Sequence, residues 1–175
     1  MEKSPTNEIM LLGLTGTGKS ETANTLAGQP NLFASSAAAE VFNNQTTYHT
    51  VPWFNEPNAN KYTIIDTPGL GENSEQDIIH LNEVIGILKE KITSLRTFIL
   101  VINGAFPSLG KQFHHMVQLY TKIFGEKMWD QLIVVVTNWC FDEKSKRNRK
   151  VGNTSEESQS SEIYCALTSA LDIEV

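Results

Sequence analysis

The sequence predicts an α/β fold in which helices cover both faces of a mainly parallel sheet, a three-layer α/β/α sandwich. Short apolar, β-branched runs at 8–14, 61–66, 96–102 and 131–137 have the composition of strands. The last two runs are apolar nearly throughout, which is typical of strands that are buried on both faces. Helical patterns separate the runs, and this alternation along the chain favours parallel strands.

Two helices are expected to begin in the first half of the chain. The first helix is expected over 19–27, because Gly28 then ends the periodic pattern. The second is expected to begin at a capping box formed by Ser74 and Asp77. Its apolar stripe comprises Ile78, Leu81, Val84, Ile85, Leu88 and Ile92.

Two further helices and one weaker strand complete the pattern. A helix is expected over about 108–124, ending at Gly125, with an inward face of Phe113, Met116, Val117, Tyr120 and Ile123. The last helix begins near 154–155 and carries Ile163, Leu167 and Leu171. The segment 46–54 alternates only weakly, and its Pro52 restricts it to an edge strand or a loop.

Size and composition limit the classes of function. The 175 residues are enough for one domain but short for two. The net charge of -6 argues against binding to nucleic acid or to an anionic membrane surface. Cys140 and Cys165 have no metal-ligand spacing, so we expect reduced thiols in a cytoplasmic protein. No apolar run has the length of a membrane span, and the N-terminus does not resemble a signal peptide, so membrane association is not indicated.

The stretch GLTGTGKS at 13–20 fits the pattern G-x-x-x-x-G-K-[ST] between the first strand and the first helix. Its glycines let successive backbone N–H groups surround a polyphosphate at the positive end of the helix. Lys19 adds a positive charge for the β- and γ-phosphates, and Ser20 offers a hydroxyl to Mg²⁺. A chance glycine-rich turn is the alternative, but this pattern should arise by accident in only about half a percent of chains of this length. The sequence therefore predicts a P-loop NTPase.

A second phosphate-site motif, DTPG, follows the 61–66 strand. Asp66 can hold the Mg²⁺ shell on the far side of the phosphates. Gly69 would donate its N–H to the γ-phosphate, and the loop after it would move on hydrolysis. On its own D-x-x-G also fits an ordinary turn, and its position one crossover after a P-loop is what favours the functional interpretation.

The chain resembles the immune-associated nucleotide-binding family of GTPases, relatives of septins and of chloroplast import GTPases. The resemblance is carried by LLGLTGTGKSETANTLAG at 11–28, IDTPGLGE at 65–72 and FILVINGAFPSLGKQFHHMVQLYTKIFGEKMWDQLIVVVTN at 98–138. It implies a G domain that binds Mg²⁺ with GTP or GDP, switches with the nucleotide, and forms a homodimer or oligomer across its nucleotide face. It also implies a further strand after Val175, so that 1–175 would be a single, C-terminally incomplete G domain with an exposed apolar sheet edge.

The resemblance and the motifs together give a set of candidate site residues. The candidate nucleotide contacts are Gly13, Leu14, Thr15, Gly16, Thr17, Gly18, Lys19, Ser20, Glu21, Gly69, Thr137, Asn138, Trp139 and Asp142. The candidate metal ligands are Ser20, Asp66, Thr46 and Thr47. The switch threonine of such proteins should fall near Asn43, with Thr46 and Thr47 just beyond, and the sequence leaves open which residue serves. A polar loop without metal contact is the alternative.

The base-reading motif departs from the usual pattern. A carboxylate normally reads guanine in an N-K-x-D-like motif after the 131–137 strand. Asp142 lies late for that role, whereas Asn138 could hydrogen-bond the base and Trp139 could stack on it. Packing of Trp139 and Phe141 at the end of the sheet is an equal alternative. Preference for guanine over adenine therefore rests mainly on the resemblance.

Hydrolysis lacks an obvious water-positioning residue. Leu70 stands where many GTPases have a glutamine, so we expect slow turnover or turnover completed by a second molecule. A non-hydrolysing module that uses nucleotide to build oligomers is the alternative. We name no catalytic base, because the histidines on expected helices, His80, His114 and His115, are assigned to the solvated surface, while His49 in the switch region is left open.

The basic run KSKRNRK at 144–150 is expected to be a solvated loop between a strand and a helix. Contact with phosphates, acidic lipid or a partner is the alternative.

Overall fold

The computed structural model describes residues 7–34, 45–71, 73–91, 95–105 and 109–172. Asn43 and Ile92, which the sequence analysis considered, lie outside these residues. Within them one sheet contains the strands β1 (Asn7–Leu12), β2 (Thr47–Pro52), β3 (Lys61–Asp66), β4 (Leu95–Asn103) and β5 (Leu132–Thr137). Their order is β2-β3-β1-β4-β5.

The sheet is parallel except at one edge. The strand β2 pairs antiparallel with β3, and the other neighbours pair parallel. The expected edge strand at 46–54 is thereby confirmed, and Pro52 is its last residue, where a missing N–H disturbs the ladder least. The opposite edge is β5 among the described strands, and its Ile133 is 52% exposed.

The helices are α1 (Lys19–Ala27), α2 (Ser74–Lys91), α3 (Lys111–Phe124), α4 (Glu143–Val151) and α5 (Glu156–Ala170). Two short 3₁₀ segments occupy Trp53–Asn55 and Glu126–Gln131. Apolar residues of α2, α3 and α5 pack on one face of the sheet, and those of α1 pack on the other. The predicted three-layer α/β/α architecture is therefore confirmed. None of the helices in the described ranges combines the length and the apolar character needed to cross a bilayer.

The helix α2 faces differently from the expectation. Asn73 caps it, because its side-chain oxygen accepts from the Gln76 N–H at 2.9 Å, and the Asp77 carboxylate accepts from the Gly71 N–H. The side chain of Ser74 lies outside the described part of the structure, so the predicted capping box stays a prediction. Ile78 was expected on the buried stripe but is 55% exposed. Leu81 and Val84 are buried as expected, and the polar Asp77 and His80 are buried with them, because α2 turns Asp77 toward the preceding loop.

The basic run at 144–150 is helical, so the expected loop is wrong there. Its helix α4 has no buried residue and therefore leaves no apolar periodicity in the sequence. Local interactions stabilise it instead: Asp142 caps its first turn by accepting from the Ser145 N–H at 3.0 Å, and Lys146 pairs with Glu143 at 3.2 Å. Arg149 and Lys150 lie in the last turn, where positive charge favours a helix.

The carboxyl ends of β4 and β5 approach each other at Gly104. A Cβ atom there would lie 2.6 Å from the Val136 side chain and 2.9 Å from the Thr137 carbonyl oxygen. The Gly104 N–H donates to that same carbonyl at 2.7 Å. Glycine is therefore required at this position by close approach of the neighbouring strand.

Replacing Gly104 by alanine should lower the free energy of unfolding by about 1 to 3 kcal/mol, the usual range for overpacking. The matched control is Gly86→Ala in α2, where a Cβ would meet no atom within 4 Å. That change should raise the free energy of unfolding by about 0.5 to 1 kcal/mol, because alanine favours a helix. Urea denaturation measures both, and equal effects of the two substitutions would contradict the close approach.

Candidate nucleotide-binding site

The P-loop connects the end of β1 to the start of α1. Gly18 precedes α1 as its N-cap and has a φ of 91°, a left-handed conformation that favours glycine. Lys19 is only 6% exposed, and its Nζ donates to the carbonyl oxygens of Leu14 at 2.9 Å and Gly13 at 3.3 Å. The ammonium therefore folds back along the loop and places its charge beside the backbone that would surround a phosphate.

Ser20 and Asp66 meet beside this loop. The Ser20 hydroxyl donates to Asp66 Oδ2 at 2.6 Å, which joins the first turn of α1 to the end of β3. The structure thus brings together a hydroxyl and a buried carboxylate that lie 46 positions apart in the chain.

These oxygen donors fit Mg²⁺, which takes few protein ligands when phosphates supply the others. Thr47 lies directly opposite Asp66 in the β2–β3 ladder. Its hydroxyl, like that of Thr46, is buried and has no hydrogen-bond partner among the described residues. No group of three or more His, Cys, Asp and Glu side chains suited to a metal ion occurs in the described part of the chain, so the set fits a phosphate-associated ion better than an all-protein site.

Thr137 supports the P-loop from the end of β5. Its hydroxyl donates to the Thr17 carbonyl oxygen at 2.7 Å. Thr17 in turn donates from its own hydroxyl to the Leu14 carbonyl oxygen at 2.9 Å. The sequence predicts that Thr137 contacts the nucleotide. In the structure its hydroxyl is hydrogen-bonded to the P-loop backbone, which stabilises the conformation of that loop.

The loop after Asp66 lies against the P-loop. A Cβ on Gly69 would stand 2.4 Å from the Thr15 Cα, so only glycine allows this approach. Leu70 donates its N–H to the Gly13 carbonyl at 3.3 Å and accepts from the Thr15 N–H at 3.0 Å. We call residues 69–71 the switch loop.

The opposite side of the switch loop is bonded to helices. Both carboxylate oxygens of Asp77 accept from the Gly71 N–H, at 3.0 and 3.1 Å, and Gln112 donates to the Gly71 carbonyl at 3.1 Å. His80 Nδ1 lies 3.3 Å from the Gly69 carbonyl oxygen. His80 is 3% exposed, so its assignment to the solvated surface is wrong.

Tyr120 on α3 is buried beside Gly13, where the P-loop begins, and beside Thr67, in the loop that follows β3. Burial raises the pKa of its phenol far above the usual value, and the charge of Asp77 raises it further, while hydrogen bonding to the Gly13 backbone and to Thr67 opposes the shift. Thr67 itself donates to the Leu11 carbonyl at 2.6 Å. The phenol therefore stays protonated and belongs to a buried network of polar groups next to the P-loop.

A second cluster, at the ends of β4 and β5, contains the remaining base-site candidates. Asn138 has a left-handed φ of 54°, and its amide donates to the Asn103 side-chain oxygen at 3.3 Å. Trp139 is half-buried, with Arg149 stacked at 4.4 Å from its ring centroid and Gly104 close to its edge. The packing alternative for Trp139 thus has direct structural support, and a base contact stays a prediction.

Asp142 is exposed and already used as a helix cap. Its hydrogen bonds to Ser145 lower the pKa of its carboxyl below the usual value. A capping carboxylate keeps its charge but has one oxygen occupied by the Ser145 N–H. Base reading by Asp142 therefore stays a prediction.

The remaining candidates have the following surroundings. Glu21 is exposed on α1, and Thr46 donates its backbone N–H to Glu83 of α2 at 2.9 Å. His49 is exposed and packs against Phe33 with 5.0 Å between ring centroids. His115 is exposed as expected, whereas His114 is partly buried and lies 3.4 Å from the Ser169 hydroxyl.

Sequence reasoning missed the helix residues that hold the switch loop. Asp77 was noticed only as a cap, and His80 was assigned to solvent because it is polar. Their spacing did hold a signal, since 77, 80, 81, 84 and 88 lie on one helical face, but apolar counting discards polar members of a stripe.

The sequence is similar to those of known proteins. The AIG1 family model matches residues 7–158. Immune-associated nucleotide-binding protein 3 of Arabidopsis thaliana is 30% identical over 129 residues, which make up 74% of this chain and 37% of that protein. The chain therefore spans well under half the length of that curated relative.

Solved structures share the fold. Toc33 from Arabidopsis thaliana in complex with Mg²⁺ and GMPPNP matches with a TM-score of 0.73 at 20% identity, covering 97% of this chain and 64% of that one. A structure of the chloroplast translocon components atToc33 and psToc159, whose dimerization is described as important for GTPase activity, matches with a TM-score of 0.70 at 24% identity, covering 94% and 60%. At these identities the likeness establishes the fold alone.

Replacing Ser20 by alanine should weaken Mg²⁺-dependent nucleotide affinity at least tenfold, since losing a contact to a charged group costs about 1.5 to 3 kcal/mol. Affinity measured in EDTA should change much less. Thr25→Ala is the control, because Thr25 is exposed on the same helix and its hydroxyl donates to the Glu21 carbonyl within that helix. Titration of a fluorescent nucleotide measures the affinities, and an equal loss with and without Mg²⁺ would contradict a metal role.

Proposed function

Because this chain belongs to the AIG1 family, we propose that it is a P-loop GTPase domain that binds GTP and GDP with Mg²⁺ and acts as a nucleotide-dependent switch. The observation that carries the proposal is the assembly of Lys19, Ser20 and Asp66 around one loop, with Gly69 packed against the same loop. A chance glycine-rich turn would not gather a buried ammonium and a hydroxyl from α1 with a buried carboxylate from β3.

The P-loop would bind the phosphates. Its backbone N–H groups and the N-terminus of α1 attract negative charge, and Lys19 adds a full positive charge beside them. Mg²⁺, when bound, would supply charge for the β- and γ-phosphates, with Ser20 and Asp66 as its protein-side ligands. Thr46 and Thr47 stay candidates for the switch threonine, because their buried hydroxyls lack a partner among the described residues.

The switch would respond to the γ-phosphate through the switch loop. Gly69 lies against Thr15, where its N–H could reach a phosphate held by the P-loop. The Gly69 carbonyl is hydrogen-bonded to His80 of α2, and the Gly71 N–H to Asp77 of the same helix. A shift of the switch loop would therefore also move α2. The proposal therefore includes α2 in the moving part.

Guanine preference is proposed on the family membership. The half-buried Trp139 and the Asn138 amide stand at the carboxyl end of β5, where a base could lie beside them. Asp142 is the nearest carboxylate in the motif but caps α4. We expect excess ATP to fail to displace labelled GTP.

Assembly of two copies across the nucleotide face is part of the proposal. It is supported by the fold shared with chloroplast translocon components whose dimerization is described as important for GTPase activity. Leu70 is buried and offers no polar atom beyond its backbone, so it cannot orient water. Slow turnover, completed by a second copy, follows from this. A cytoplasmic location, expected from the two free cysteines, stays a prediction.

A second candidate function is a module that binds nucleotide without hydrolysing it. The single observation in its favour is the same Leu70, which puts a buried apolar side chain where many GTPases have a water-positioning glutamine.

Replacing Lys19 by alanine should weaken binding of both GTP and GDP by roughly 10- to 150-fold, because a charged contact to phosphate is lost. Lys122→Ala, an exposed lysine on α3, is the control and should leave both affinities unchanged. Competition titration with GTP, GDP and ATP measures the affinities and the base preference together. Unchanged affinity in Lys19→Ala would contradict the phosphate assignment.

The rate of GTP hydrolysis per molecule should rise with protein concentration, because a second copy is expected to complete the site. Single-turnover hydrolysis at low and high protein concentration measures this, with Lys19→Ala at the same concentrations as the blank. A slow rate that does not depend on concentration would contradict completion by a second copy. No turnover at any concentration would leave the non-hydrolysing module.

A further inference from the structure

His80 is a buried histidine in which one of the two ring nitrogens has a hydrogen-bond partner among the described residues. Nδ1 lies 3.3 Å from the Gly69 carbonyl oxygen, while Nε2 is buried without a hydrogen-bond partner among the described residues. A carbonyl oxygen can only accept, so Nδ1 carries the proton and donates it. Among the described residues, the imidazole ring therefore makes its hydrogen bond to the Gly69 carbonyl.

Retaining a histidine here is costly for stability. A buried polar atom without a partner costs about 1 to 3 kcal/mol, whereas an apolar side chain of similar size would leave no such atom. The neighbours Leu81 and Val84 show that this face of α2 accepts apolar residues. A polar group kept at the expense of stability is expected where it serves the site.

The bonds of the switch loop show what His80 does there. Two successive peptide units each have one end on the P-loop and the other on α2. In the first, the Gly69 carbonyl accepts from His80 and the Leu70 N–H donates to the Gly13 carbonyl. In the second, the Leu70 carbonyl accepts from the Thr15 N–H and the Gly71 N–H donates to Asp77.

The Gly69–Leu70 peptide lies directly beside the atoms that would meet a γ-phosphate. Without the His80 bond, this peptide would be held only through the Leu70 N–H on its P-loop side, so the orientation of the Gly69 carbonyl would be less fixed. The neighbouring peptide would still be held by Asp77. Loss of His80 should therefore disturb the orientation of Gly69 while leaving the P-loop intact.

We propose that His80 is a positioning residue for recognition of the γ-phosphate: its Nδ1–H fixes the Gly69 carbonyl and so orients the Gly69 backbone toward the P-loop. The inference rests on the proposed function and adds a residue to it. Since Gly69 would contact only the γ-phosphate, His80 should favour GTP over GDP without affecting the binding of GDP.

The test compares affinities for GMPPNP and GDP, both with Mg²⁺, in the whole chain. His80→Leu removes the donor and fills the space. His80→Asn keeps a donor at the Nδ1 position, and His80→Gln keeps a buried amide but moves its donor to the Nε2 position. His115→Leu, at an exposed histidine on α3, is the matched control.

In His80→Leu, GMPPNP affinity should fall about fivefold, the equivalent of one neutral hydrogen bond, while GDP affinity stays within about twofold. His80→Gln should behave in the same way, His80→Asn should retain most of the GMPPNP affinity, and His115→Leu should match the wild type. The melting temperature of His80→Leu should change little, because the loss of the unsatisfied Nε2 offsets the cost of leaving the Gly69 carbonyl without its donor.

An unchanged GMPPNP-to-GDP ratio in both His80→Leu and His80→Gln would overturn the positioning role, as would an equal loss of both nucleotides. A His80→Leu protein that does not fold leaves His80→Gln to decide by the same ratio. Wild-type protein that binds neither nucleotide would overturn the proposed function itself, a result distinct from wild-type binding with an unchanged ratio.

Discussion

The close contact between the switch loop and the P-loop determines much of the surrounding structure. Gly69 approaches Thr15 so closely that no side chain fits between them, and Leu70 bonds the P-loop in both directions. A loop held this way on one side must satisfy its remaining polar groups on the other, because buried amides and carbonyls without partners are costly. The helix α2 supplies those partners.

This requirement explains how α2 is rotated. Asp77 and His80 must face the loop, and the apolar residues one turn further, Leu81 and Val84, then face the core. Ile78 directly follows Asp77 and is therefore turned about 100° from it around the helix axis, which leaves the Ile78 side chain exposed to solvent. An exposed isoleucine is thus the consequence of two buried polar contacts, and it shows that holding the loop outweighed burying one more apolar side chain.

Buried polar groups concentrate on this one edge of the sheet. Lys19, Asp66, Asp77, His80 and Thr67 are all buried, and all lie within the P-loop, the end of β3 or the first turns of the helices that follow. Burial lowers the local dielectric, so charges and dipoles fixed here act more strongly on a bound ion than they would in water.

The sequence by itself determined four of the five described helices, the strands between them and the P-loop, because each depends on local patterns: apolar runs, glycine spacing and a motif of eight residues. It did not determine the facing of α2, the helix at 143–151 or the roles of Thr137, Trp139 and Asp142. Those depend on which groups meet across the fold, such as Thr137 with Thr17 and Trp139 with Gly104 and Arg149. Only the tertiary structure could decide them, because a polar residue near a site reads the same in sequence whether it contacts a ligand, caps a helix or supports the backbone that does the binding.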